Sequence, residues 1–309
     1  MNQSEKNAPG IDPGDASTAK CSLWIRVFSR LPLLFWYPVA RFLAWMAWRV
    51  IPYRRHVVEA NLKACFPEWD DASRELVIRD YYRGFADMLV EILHSLRLTE
   101  HELRRRVRIV NPELLREEVA PKDGTGKPVL IVAAHQANWE WMLLGLSTQL
   151  GIPLDAAYKP LIDNWAELEM RKLRSRFGAR LIPAQGLLGD IIRQRGAPRV
   201  IALIADQEPV SSERKHWVRF LNRDTAFFLG AEEIARTTRY AAYFVRLARR
   251  RRGHYEVEFV KLAAAGEQLP SGEFTARYAR LVEEQIRSAP ADWPWSHKRW
   301  KLKKPLYQG

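Results

Sequence analysis

Two uninterrupted apolar runs, 128–133 (PVLIVA) and 200–205 (VIALIA), constrain this chain more than any other feature. A strand without polar alternation must be covered on both faces, as a central strand of a layered α/β sheet is. The segments around them alternate in the same sense. Helical spacing is read at 139–150, 164–177, 187–195, 229–238 and 273–288. Further strands are expected at 107–110, 154–158, 180–183, 241–247 and 255–262. Upstream, 56–65 and 72–96 read as helices separated by Phe66-Pro67-Glu68, because proline ends a helix at the residue before it. The expected fold is therefore α/β, with a mixed, mostly parallel sheet flanked by helices.

The first residues differ from this body. Residues 1–20 are polar and rich in Gly, Pro, Ser and Asp, and are expected to be a disordered tail. Residues 21–55 are expected to anchor the protein at a membrane, leaving 56–309 as one α/β domain. The run LWIRVFSRLPLLFWYPVARFLAWMAWRVI at 23–51 is long enough to reach across a bilayer, yet it carries Arg26, Arg30, Arg41 and Arg49 and is interrupted by Pro32 and Pro38. A charge at the bilayer centre is costly, whereas arginine at an interface can extend its head to water. An interfacial pair of helices explains the arginines better than a clean span, and the alternative is a buried amphipathic helix of the main domain. Net charge is +13, which calls for an anionic partner: a membrane surface, an acidic substrate or nucleic acid. No zinc-finger or RNA-binding pattern accompanies the charge, so nucleic acid is not expected as a partner. Cys21 and Cys65 form neither a disulfide framework nor a metal cluster, and no metal or cofactor is expected.

Chemistry in such folds gathers at the carboxyl ends of the strands. The first apolar run leads into AHQANWE at 134–140, where His135 leaves a buried strand just before a helix. If that helix starts near Ala137, Glu140 lies in its first turn and can reach back to His135 as a base and its orienter. This His-x4-Glu pair suits removal of a proton from an alcohol during attack on an acyl group, with no protein nucleophile. The bland alternative is a histidine satisfied by a helix-capping glutamate. Asp206 leaves the second apolar strand in the same kind of position. Between the two lie Tyr158-Lys159-Pro160 and a basic cluster of Arg171, Lys172, Arg174 and Arg176. The cluster could hold a phosphorylated headgroup or be only a solvated helix face.

The ordered set of motifs resembles the late lauroyl/myristoyl acyltransferases of lipid A biosynthesis. Its members are VVEANL at 57–62 with FPE at 66–68, AHQANWE, YKP at 158–160 with Arg174 and Phe177-Gly178, ADQ at 205–207, Trp217, FL at 220–221, TAF at 225–227 and WPWSHKRWK at 293–301. The resemblance implies a glycerol-phosphate-acyltransferase-like fold with an N-terminal membrane-associated helical segment. It also implies an acyl-carrier-protein thioester donor, a glycolipid acceptor in lipopolysaccharide synthesis, and a place on the cytoplasmic side of the bacterial inner membrane. By position, His135 is the catalytic base and Glu140 its partner, while Arg174, Asp206, Asn138 and Lys159 bind substrate or hold the site. The segment VSSERK at 210–215 lacks a glycine the family pattern would have there. Another lipid or glycolipid acceptor, or a non-catalytic membrane- or nucleic-acid-binding role, remains as an alternative.

Overall fold

The computed structural model describes residues 30–121 and 124–304, so the expected tail and the start of the anchoring segment lie outside the described residues. Strands β1 (Val107–Ile109), β2 (Val129–Ala133), β3 (Leu154–Tyr158), β4 (Arg180–Pro183), β5 (Val200–Ile204), β8 (Ala242–Arg251) and β9 (His254–Ala263) form one sheet in the order β1-β9-β8-β2-β5-β3-β4. Every neighbouring pair is parallel except the β8–β9 hairpin. The expected mixed, mostly parallel sheet is present, and the two apolar runs are adjacent central strands.

Period-two geometry explains why β2 needs no polar residue. Leu130 and Val132 enter the core on one face, while Val129, Ile131 and Ala133 enter the core on the other. The second face is covered by α4 (Glu100–Arg106), α5 (Glu113–Val119), α6 (Trp139–Gln149) and α7 (Asn164–Ser175). The first is covered by α1 (Leu33–Trp45), α2 (Arg55–Cys65), α3 (Asp71–His94), α8 (Leu187–Arg193), α9 (Gly230–Thr238) and α10 (Glu273–Ser288).

Two helices and one hairpin escaped the sequence pattern. Helix α4 is too charged to show apolar periodicity, but it carries a full capping box: Thr99 accepts from the Glu102 amide and Glu102 accepts from the Thr99 amide. Helix α5 is only two turns long. The hairpin of β6 (Lys215–Phe220) and β7 (Arg223–Phe228) occupies what reads as a polar loop. Its two-residue turn, Leu221-Asn222, has φ of 49° and 63°, the left-handed pair that matches strand twist.

Of the expected N-terminal helix pair, the described residues hold helix α1, which ends in a five-residue π-turn (Met46–Val50), while the earlier half lies outside the described residues. No helix among the described residues is long and apolar enough to cross a membrane. One side of α1 packs on the domain through Leu33, Ala40 and Ala44, while Leu34, Phe35, Phe42, Leu43 and Trp45 stay exposed. Cys65 is buried, and burial pushes its thiol up to about 12.

Candidate active site

The register of the sheet builds the site. Ala133 of β2 pairs with Ile204 of β5. His135 and Asp206 each lie two residues further along parallel neighbours, so both emerge at the same height at the carboxyl edge. The His135 backbone amide donates to Asp206 Oδ2 (3.0 Å), and the ring Nδ1 lies 2.6 Å from Asp206 Oδ1. An ionised carboxylate only accepts, so Nδ1 carries the proton and Nε2 is the basic nitrogen. The exposed Gln207 side-chain amide stands 3.3 Å from Nε2, in keeping with that tautomer.

Asp206 is 2% exposed. Burial alone would raise its pKa; the facing His135 and the hydrogen bonds from His135 and from Trp293 Nε1 (2.9 Å) outweigh burial and hold it below the ordinary carboxylate value. The aspartate therefore stays ionised beneath the imidazole. Trp293 comes from the C-terminal WPW segment, which α2 and α3 strap down: Asn61 donates to the Trp295 and His297 carbonyls, and Tyr81 donates to Ser296.

The loop from His135 into α6 is pinned by the same C-terminal segment. Ala137 adopts a left-handed φ of 48°, and its amide donates to the Asp292 carbonyl (2.8 Å). A left-handed alanine is held only where its surroundings over-determine it. The helix thus starts at Trp139 rather than near Ala137, with Asn138 capping it by accepting from the Trp141 amide (3.0 Å).

That start changes the expected partner of the histidine. Glu140 is engaged by Arg174, through Nε to Oε2 at 2.9 Å and Nη2 to Oε1 at 2.6 Å, while the Trp139 indole also donates to it. Asp206, placed by the sequence reading among the substrate-binding residues, holds the imidazole instead. Of the four basic residues of the 171–176 cluster, Arg174 alone reaches this site. Lys172 pairs with Glu169, Arg171 is exposed, and Arg176 donates to the Ser95 carbonyl. Lys159 is exposed beyond β3, on the same edge of the sheet.

Beneath the loop lies a buried carboxylate that the sequence reading missed. Glu91 of α3, fully buried, accepts from Asn138 (2.8 Å), Tyr255 (2.5 Å) and Tyr37 of α1 (3.2 Å). Burial raises its pKa despite the Tyr255 and Asn138 hydrogen bonds. Its signal in the sequence is one acid inside the apolar stretch MLVEIL. The hairpin turn above Tyr37 needs Gly253, at φ +67°, because a Cβ there would lie 2.3 Å from the Tyr37 hydroxyl. Among the described residues no group of three or more His, Cys, Asp or Glu side chains could hold a metal ion.

A histidine made basic at Nε2 by a buried carboxylate, at the carboxyl edge of an α/β sheet, defines a site equipped to deprotonate a nucleophile. Residues 21–302 match the bacterial lipid A biosynthesis acyltransferases, and the chain belongs to that family. It is an acyltransferase. It is 23% identical over 288 residues to the lipid A biosynthesis palmitoleoyltransferase of Escherichia coli K12, covering 91% of this chain and 92% of that protein. A lipid A biosynthesis acyltransferase of Shigella flexneri matches to the same extent. One from Haemophilus influenzae is 22% identical over 252 residues, covering 78% of this chain and 74% of the relative.

Proposed function

We propose that this acyltransferase moves a fatty acyl chain from an acyl-carrier-protein thioester to a hydroxyl of a lipid A precursor, at the cytoplasmic face of the bacterial inner membrane. The observation that carries the reading is the His135–Asp206 pair, which leaves Nε2 free of a proton beside the exposed Gln207 side chain. Nε2 takes the proton of the acceptor hydroxyl as its oxygen attacks the thioester carbonyl. The tetrahedral intermediate collapses with cleavage of the C–S bond, and the departing thiolate takes the proton back from the imidazolium. Asp206 stabilises that imidazolium and fixes the ring.

Glu140 and Arg174 brace the site as a mutually neutralised pair, and Asn138 fixes the start of α6. Lys159, exposed on the same edge, is assigned to the anionic part of the acceptor. The net charge of +13 favours both an acidic carrier protein and a phosphorylated lipid. Family membership and the name of the Escherichia coli relative support an acyl donor and a lipid A acceptor. The test is transfer of a labelled acyl group from acyl-carrier protein to the lipid A precursor by wild type and His135→Ala. Transfer by the wild type alone, with the variant folded, is expected. Equal transfer by both would remove His135 from the mechanism, and transfer by neither would overturn the donor–acceptor pair.

A further inference from the structure

Between α1 and α3 lies a cavity of about 400 Å³ lined by none of the side chains of the site described above. Its apolar lining includes Phe42, Trp45 and Trp48, and its three charged lining residues, Arg41, Arg79 and Arg83, are all cationic. Asp80 is shared by Arg79 (3.2 Å) and Arg83 (3.1 Å), while Arg41 has no ion-pair partner among the described residues. The lining itself holds three cations and no carboxylate; Asp80 beside it serves two of them, and Glu75, which accepts from the Trp48 indole, is paired with Arg55, so positive charge remains beside the aromatic wall. The volume falls in the range of small-ligand sites and exceeds what one phosphate would fill. On α1 and just after the π-turn that ends it, Leu34 is 83% and Ile51 68% exposed.

The combination selects its occupant. Exposed aliphatic side chains next to tryptophans and outward-reaching arginines suit the boundary between acyl chains and headgroups. Anionic headgroups supply the charge that the arginines lack. We propose that the α1–α3 groove seats an anionic phospholipid of the bilayer, its phosphate between Arg41, Arg79 and Arg83 and its upper acyl chain against Phe42 and Trp45. This rests on the membrane-surface part of the proposed function and adds to it a lipid-selective contact. It also gives the docked helix a link to the catalytic loop, since Tyr37, one turn before Arg41, donates to the Glu91 that holds Asn138.

Vesicle flotation of the full chain tests this, with phosphatidylcholine alone or mixed with phosphatidylglycerol. Wild type is expected to favour the mixed vesicles, and each of Arg41→Gln, Arg79→Gln and Arg83→Gln to weaken that partitioning about fivefold. Arg236→Gln, an exposed arginine on α9, is expected to change it less than twofold, and Phe42→Asp to weaken binding to both vesicles. Circular dichroism checks that each variant is folded. Equal wild-type binding to the two vesicle types, or equal losses for Arg236→Gln and the groove variants, would overturn the groove while leaving a general surface role. No flotation at all would overturn the membrane-surface reading itself. Groove variants that lose affinity for acyl-carrier protein and keep that for vesicles would make the face a protein dock and overturn the lipid assignment.

Discussion

Replacing Asp206 by asparagine changes one atom of the site and should reverse the chemistry of the histidine. Two donors, the His135 amide at 3.0 Å and the Trp293 indole at 2.9 Å, both point at Oδ2. They require an acceptor there, so the amide oxygen of the substituted side chain takes that position and its NH2 takes the place of Oδ1, 2.6 Å from His135 Nδ1. The NH2 can only donate, so Nδ1 must lose its proton and Nε2 must gain one. The base is then blocked without loss of packing. The lost imidazolium–carboxylate attraction is about 4 kcal/mol at 4 Å and an effective dielectric of ~20, or about a thousandfold in rate. That agrees with the ~100- to 10,000-fold typical of a positioned general base. Steady-state kinetics of acyl transfer should show kcat falling by about that much with KM little changed, while thermal unfolding stays near the wild type. Asp206→Ala should differ by also losing stability, about 1–3 kcal/mol for the buried Trp293 indole left without an acceptor and further for the part-buried His135 amide. A folded Asp206→Asn enzyme with kcat within about threefold of wild type, less than one kcal/mol of barrier, would refute the assignment of tautomer and base.

Removing one partner of the Glu140–Arg174 pair should cost more stability than removing both. Glu140→Ala strands a largely buried guanidinium, so the loss in urea unfolding should approach the low end of about 3–5 kcal/mol, and the double variant with Arg174→Ala should recover part of it. Glu91 gives a pH signature. Its folded pKa is raised, so the folded state holds its proton through a pH range where the unfolded state has released it. This contribution to stability is present below the unfolded carboxylate pKa and is lost as pH rises through the folded value. Glu91→Gln should remove that slope from a plot of unfolding midpoint against pH; an unchanged slope would show that Glu91 is not its source.

The fold was legible because its central strands announce their own environment. A run such as VLIVA can satisfy its side chains only between two layers, and the helices beside it repeat their apolar positions on one face. His135 and Asp206 were legible as residues that leave such strands at the edge where α/β sheets place their sites. Their pairing was not, because it depends on register between segments 71 residues apart. The choice between Glu140 and Asp206 as partner of the histidine was made by the left-handed Ala137, which starts α6 two residues later than expected. That kink is fixed by the Asp292 carbonyl, more than a hundred residues downstream. The same holds for Arg174 among its basic neighbours and for Glu91 in its apolar stretch. By itself the sequence determined which layers form and which residues stand at the strand ends, since periodicity and chain reversal are local properties. Only the tertiary structure decided which of those residues touch, because a hydrogen bond is set by distances through space that no spacing along the chain encodes.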